Sequence, residues 1–98
     1  MSLFYRTVMF QLKPDQAQGF KDLMCEMLPD ARAFKGCQHL SMLADRADPT
    51  KVMLYMIWDA EEDYTAYMAW RKETGFGPTI APYLAAPPAG DDYTLIQD

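Results

Sequence analysis

The stretch VMLYMIWDAEEDYTAYMAW, Val52 to Trp70, sets seven apolar residues in a row and then turns abruptly acidic. Side chains alternate across a strand, so Val52, Leu54, Met56 and Trp58 point one way while Met53, Tyr55 and Ile57 point the other. A sheet with one wet face would carry polar residues in one of those sets. Here both are apolar. After Trp58 the pattern changes: Asp59 and Glu62 have the spacing of a capping box, and the acidic first turn suits the positive end of a helix dipole. A strand over Lys51–Trp58 followed by a helix to about Thr74 is the reading.

Upstream, LFYRTVMFQL (Leu3–Leu12) is rich in β-branched and aromatic residues and stops at Lys13-Pro14, giving a first strand. Its alternation puts Phe4, Val8, Phe10 and Leu12 against Leu3, Tyr5 and Met9, again apolar on both sides. Arg6 and Thr7 must then occupy opposite faces. Asp15 and Gln18 form a second box-like pair. Phe20, Leu23, Met24, Met27 and Leu28 recur at helical spacing. Pro29 predicts a kink or a restarted turn through Phe34, and Gly36 a stop. CQHLSMLA, Cys37–Ala44, reads as a second strand with Leu40 and Met42 on one face and His39, Ser41 and Leu43 on the other; Asp45–Thr50 reads as a turn. Between Gly75 and Asp92 four prolines and three glycines exclude a long regular element. Tyr93–Gln97 then closes as the last strand.

The order β-α-β-β-α-β is that of a ferredoxin-like α+β domain spanning residues 1–98, a four-stranded antiparallel sheet with two helices on one face. Two helices cover only one face. Leaving the large side chains of the other face wet forfeits about 1.5–3 kcal/mol each, so five of them amount to roughly 10 kcal/mol, comparable with the stability of a small domain. A second copy of the chain, packed sheet to sheet, is the expected cover.

Composition narrows the function. Half of the 98 residues are apolar, enough for one core, and a net charge of -5 with scattered lysines and arginines speaks against nucleic acid or an anionic membrane. No apolar run nears the roughly 20 residues of a membrane span, and the N-terminus lacks the order of a signal peptide, so a cytoplasmic protein is expected. Cys25 and Cys37 form no metal-like pair, and His39 is the only histidine, so neither a metal nor a cofactor is expected.

Several segments resemble the antibiotic biosynthesis monooxygenase-like proteins: FQLKPDQ (Phe10–Gln16), FKGC (Phe34–Cys37), WDAEEDYTAYMAWRKETG (Trp58–Gly75) and PYLAAPP (Pro82–Pro88). The resemblance implies a dimeric α+β barrel with a cavity between each subunit's sheet, its helices and nearby loops. It also implies oxidation of a small aromatic or quinol by molecular oxygen with neither metal nor flavin. Haem-degrading relatives place a histidine late in the second helix and an asparagine in the first strand. This chain has WRKETGFG in the former region and no asparagine at all, with Thr7 near the latter and Tyr67 where those relatives carry a tryptophan.

A cofactor-free oxygenase needs an apolar pocket, a base and donors for the developing anion. His39, as the only histidine and so a candidate base, and Arg71, as an anion anchor, are the candidate catalytic residues. Tyr5, Thr7, Tyr55 and Tyr67 are the candidate pocket. Each has a plainer reading: tyrosines packed on the sheet, His39 facing solvent, and Arg71 stretching its head to water. A non-enzymatic binding or accessory protein with the same cavity is the alternative function. The long Gly75–Asp92 segment reads as a lid, a dimer-clasping arm or a surface loop.

Overall fold

The computed structural model describes residues 2–98. Its elements are β1 (Phe4–Gln11), a 3-10 turn (Pro14–Gln16), α1 (Ala17–Arg32), β2 (Cys37–Ala44), β3 (Lys51–Trp58), α2 (Glu61–Glu73), α3 (Phe76–Ile80), a second 3-10 turn (Ala81–Tyr83) and β4 (Ala89–Tyr93). The sheet is antiparallel, in the order β2-β3-β1-β4, which is the ferredoxin-like arrangement.

The double-sided strand behaves as its alternation demands. Val52, Leu54, Met56 and Trp58 are buried, whereas Met53, Tyr55 and Ile57 between them are only partly covered. In register beside them on the covered face lie Phe4, Arg6, Val8 and Phe10 of β1, with Leu40, Met42 and Ala44 of β2 on the other side. Helix α1 lays Phe20, Met24, Leu28 and Ala31 on this face, with the rings of Phe10 and Phe20 5.1 Å apart. The register thus resolves the Arg6/Thr7 alternative: Arg6 faces the helices and Thr7 the open side.

Three local expectations are corrected. Neither capping box forms: α1 starts at Gln16 and α2 at Ala60 without a side-chain cap bond, and the Asp59 carboxylate instead accepts from Gln38, the extra residue at the bulge in β2. Helix α1 runs on through Pro29 to Arg32 rather than restarting as a separate turn; the proline removes one i→i−4 bond and the remaining turn still closes, with the Ala33 N–H donating to the Pro29 carbonyl. The last strand is Ala89–Tyr93 rather than Tyr93–Gln97. AGDDY has poor strand propensity, but pairing with β1 along its whole length supplies what propensity does not. All five of its residues are exposed, and Asp91 and Asp92 charge the sheet edge in a way that discourages further pairing.

The Gly75–Asp92 segment is not a free loop. Gly75 takes φ of 81°, a left-handed conformation natural to glycine, and turns the chain from α2 into α3. Farther on, Leu84 bridges Leu12, and the Ala85 N–H donates to the Gln11 carbonyl at 2.8 Å. These bonds strap the segment to the end of β1. No helix is long and apolar enough to cross a membrane among the described residues.

Candidate functional site

Between the sheet and the α2–α3 corner lies a cavity of about 500 Å³. Its floor is Val8 and Phe10 of β1 with Leu54 and Met56 of β3; Tyr64, Tyr67, Met68, Arg71 and Lys72 come from α2; Phe76, Pro78 and Ile80 roof it from α3; and Arg6, Pro88 and Gly90 close the β4 side. The volume suits a small ring compound, and a mostly apolar lining with a few polar groups is what ligand sites generally show.

Helical spacing places Tyr64, Tyr67 and Arg71 on the inner face of α2. An aromatic cluster then fixes the tyrosines: Tyr67 lies 5.0 Å from the Trp58 ring and 5.5 Å from Phe34, and Tyr64 lies 5.7 Å from Phe4. Arg71 does not stretch to water, since only 4% of it is exposed. Its Nε donates to the Tyr67 hydroxyl at 2.9 Å and its Nη2 to the Met27 carbonyl at 3.0 Å. Trp70, Tyr67 and Phe76 surround the guanidinium with ring centroids 4.7, 5.3 and 5.4 Å away. These faces stabilise a cation through their quadrupoles.

Arg6 enters from β1. Its guanidinium sits 4.9 Å above the Tyr64 ring and donates from Nη1 to Asp92. Burial lowers the proton affinity of Arg6, but Asp92 and Tyr64 outweigh that and hold its pKa above the ordinary value. Gly90 makes the arrangement fit: a Cβ there would lie 2.1 Å from Nη2 of Arg6. Burial pushes the hydroxyl pKa of Tyr67 upward, opposed by the bond from Arg71, and does the same to Tyr64 against Arg6. Both phenols are therefore neutral hydrogen-bond donors at physiological pH. With its oxygen accepting from Arg71, Tyr67 still has an O–H to give.

Of the six residues singled out from the sequence, the cavity brings together Arg71 and Tyr67. Tyr5, Thr7 and Tyr55 sit in register on the opposite face of the sheet, and so does His39. His39 is exposed, 5.5 Å from the Tyr55 ring, with Nε2 2.6 Å from the Ser41 hydroxyl. It borders a separate, more open hollow of about 400 Å³ with Arg32, Cys37 and Gln38. Arg6, Phe76, Pro88 and Gly90 escaped the sequence reading. Arg6 was legible only as half of an alternation, and Gly90 lay in a segment whose strand register the sequence does not signal.

The sequence model described as antibiotic biosynthesis monooxygenase matches residues 3–77, well over half of the chain. The chain belongs to the antibiotic biosynthesis monooxygenase family. A search of curated proteins finds no match. Solved structures agree with the family fold. A crystal structure of an antibiotic biosynthesis monooxygenase is 15% identical with a TM-score of 0.86, covering 96% of this chain and 99% of that one. A conserved protein from Methanosarcina mazei is 16% identical with a TM-score of 0.87, covering 96% and 93%. A protein from Mycobacterium tuberculosis is 14% identical with a TM-score of 0.87, covering 99% and 98%. At such identities the likeness speaks for the family's fold, and the chemistry must be argued from the cavity.

Proposed function

We propose that the chain is a cofactor-independent monooxygenase acting on a small aromatic or quinol in the cavity beneath α2 and α3. The observation that carries this reading is an apolar chamber whose polar wall groups include two arginines and two neutral tyrosines. Such a wall favours the anion of a bound hydroxyarene over its neutral form, because donors fixed in a low-dielectric site act more strongly than in water. Among the described residues no histidine or carboxylate lines the chamber. The phenolic proton therefore leaves to solvent, and the cations supply the driving force.

The electron-rich anion passes one electron to dioxygen. The resulting substrate radical and superoxide join in a C–O bond, and loss of water from the peroxide leaves a carbonyl at the former C–H carbon. One oxygen atom stays in the product and the other leaves as water, both reducing electrons coming from the substrate. Tyr67 and Arg71 hold the anion throughout, while the aromatic walls limit water at the reacting carbon. Oxygen uptake with a panel of hydroquinones and anthrone-like compounds tests the reading: one O2 consumed per substrate, with a single label from 18O2 retained, is expected. Absence of uptake across the panel counts against it.

The missing base favours a second reading, a non-enzymatic binding or accessory protein that uses the same cavity. Tight binding of a ring compound without oxygen uptake would select it.

The open face of the sheet, with Tyr5, Met9, Met53, Tyr55 and Ile57 half-covered and Leu43 and Tyr93 about half exposed, is read as the surface that a second copy covers. A homodimer at micromolar concentration is the expected species in sedimentation. A cytoplasmic setting would keep Cys25 and Cys37 as the free thiols they are in the fold.

A further inference from the structure

The chain carries fourteen acidic side chains against nine lysines and arginines, yet among the described residues Arg6, Arg71 and Lys72 line the cavity and no carboxylate does. The bias is strongest at Arg71. A guanidinium has five N–H groups. One of Arg71's is on the Tyr67 hydroxyl and one on the Met27 carbonyl, which leaves three. Among the described residues no carboxylate lies within ion-pair distance of it. Burying an unpaired charge is strongly unfavourable, and buried charges are normally paired. Arg6 adds to the imbalance: Asp92 engages its Nη1, but its Nε is buried without a partner.

We propose that the cavity is built for an aromatic acid, a planar hydroxyarene whose carboxylate is held by Arg71, with Arg6 as a second cation in the same wall. The N–H groups of Arg71 left over, two of them on Nη1, suit the oxygens of a carboxylate, and a flat ring system fits between the aromatic and aliphatic walls. Gly90 belongs to the device, because any side chain there displaces the head of Arg6. The inference rests on the cavity being the substrate site, but it concerns binding and stands independently of whether oxygen reacts.

The test is calorimetric titration under nitrogen with 6-hydroxy-2-naphthoate and with its carboxamide, which keeps the ring and the phenol and lacks the charge. Wild-type protein is expected to bind the acid at least about tenfold more tightly than the amide, a difference that one well-placed charged hydrogen bond supplies. Arg71→Met should reduce that preference to about twofold or less, and Arg71→Lys should restore part of it by returning charge without the planar fork. Gly90→Ala, which leaves Arg71 in place, should lower the preference a few-fold, so the inference stays testable even if Arg71→Met folds poorly. Equal affinities for acid and amide in the wild type, or a preference that survives Arg71→Met, would overturn it. Oxygen uptake measured separately on the same acid distinguishes the two claims: acid preference without uptake supports this inference and sinks the monooxygenase reading, whereas uptake on neutral quinols without acid preference does the reverse.

Discussion

The two faces of this sheet are built from the same strands in alternation and differ in what they ask of their surroundings. The face toward the helices contains Phe10, Val52, Met56 and Trp58, all at most 2% exposed, and it tolerates two arginines only because aromatic rings, a tyrosine hydroxyl and Asp92 receive them. The face away from the helices carries Tyr5, Met9, Met53, Tyr55 and Ile57, and the described residues cover these only in part. The difference teaches that apolar alternation marks burial without saying by what. One face is closed by the chain's own helices around a charged chamber, and the other is proposed to be closed by a second chain.

The largest effect should come from neighbours in β3. Trp58→Ala on the covered face should cost about 3–5 kcal/mol of stability, whatever the protein concentration. Ile57→Ala, one residue away on the open face, should cost less, and its cost should shrink on dilution as the dimer dissociates, because assembly contributes stability through mass action. Denaturant melts at several protein concentrations check both. An Ile57 effect that ignores concentration would break the proposed division of labour.

Ile57→Asp should weaken self-association by about 100-fold or more, since a charge would have to be buried without a partner. Sedimentation equilibrium reads this directly, and wild-type protein that is already monomeric at micromolar concentration would remove the second chain from the account.

Arg71→Met should leave stability within about 1 kcal/mol of wild type, the relief of a buried cation offsetting the partners it leaves behind at Tyr67 and Met27. Ligand binding should suffer far more. A residue whose loss harms binding and spares folding belongs to the function of the covered face.

The smallest effect is a pH dependence. Burial raises the pKa values of Tyr64 and Tyr67. Their contribution to stability is complete below the unfolded value of about 10 and is lost as pH rises from there toward the folded values. Melting temperature should therefore fall more steeply above pH 10 in the wild type than in Tyr67→Phe. Equal slopes would show that Tyr67 is not held neutral by its surroundings.

The sequence made β3 legible as an unbroken run of seven apolar residues ended by an acidic turn, β2 by the alternation of Leu40 and Met42 with His39 and Ser41, and the inner face of α2 by the helical stripe of Tyr64, Tyr67 and Arg71. It misled at β4, where Ala89–Tyr93 is a strand only because β1 offers it a partner, while of the better strand-former Tyr93–Gln97 only Tyr93 joins that pairing and Ile96 is left 99% exposed. For the candidate site the gap has one cause. Tyr5, Thr7, Tyr55 and His39 share a face with one another but not with Arg71, and the face on which a strand residue lies relative to a helix is set by sheet register and packing, which β1 alone does not encode. The fate of Arg71 was hidden for a related reason, since its neighbours Met27 and Phe76 come from other helices.

Methionine methyl groups report on both faces at once and give the most direct test. Met56 and Met68 line the cavity, whereas Met9 and Met53 pair across the open face. In protein labelled with 13C at the methionine methyls, titration with 6-hydroxy-2-naphthoate should shift the Met56 and Met68 resonances in saturable fashion and leave Met9 and Met53 where they were. Shifts confined to Met9 and Met53 would place the ligand on the open face and contradict the account.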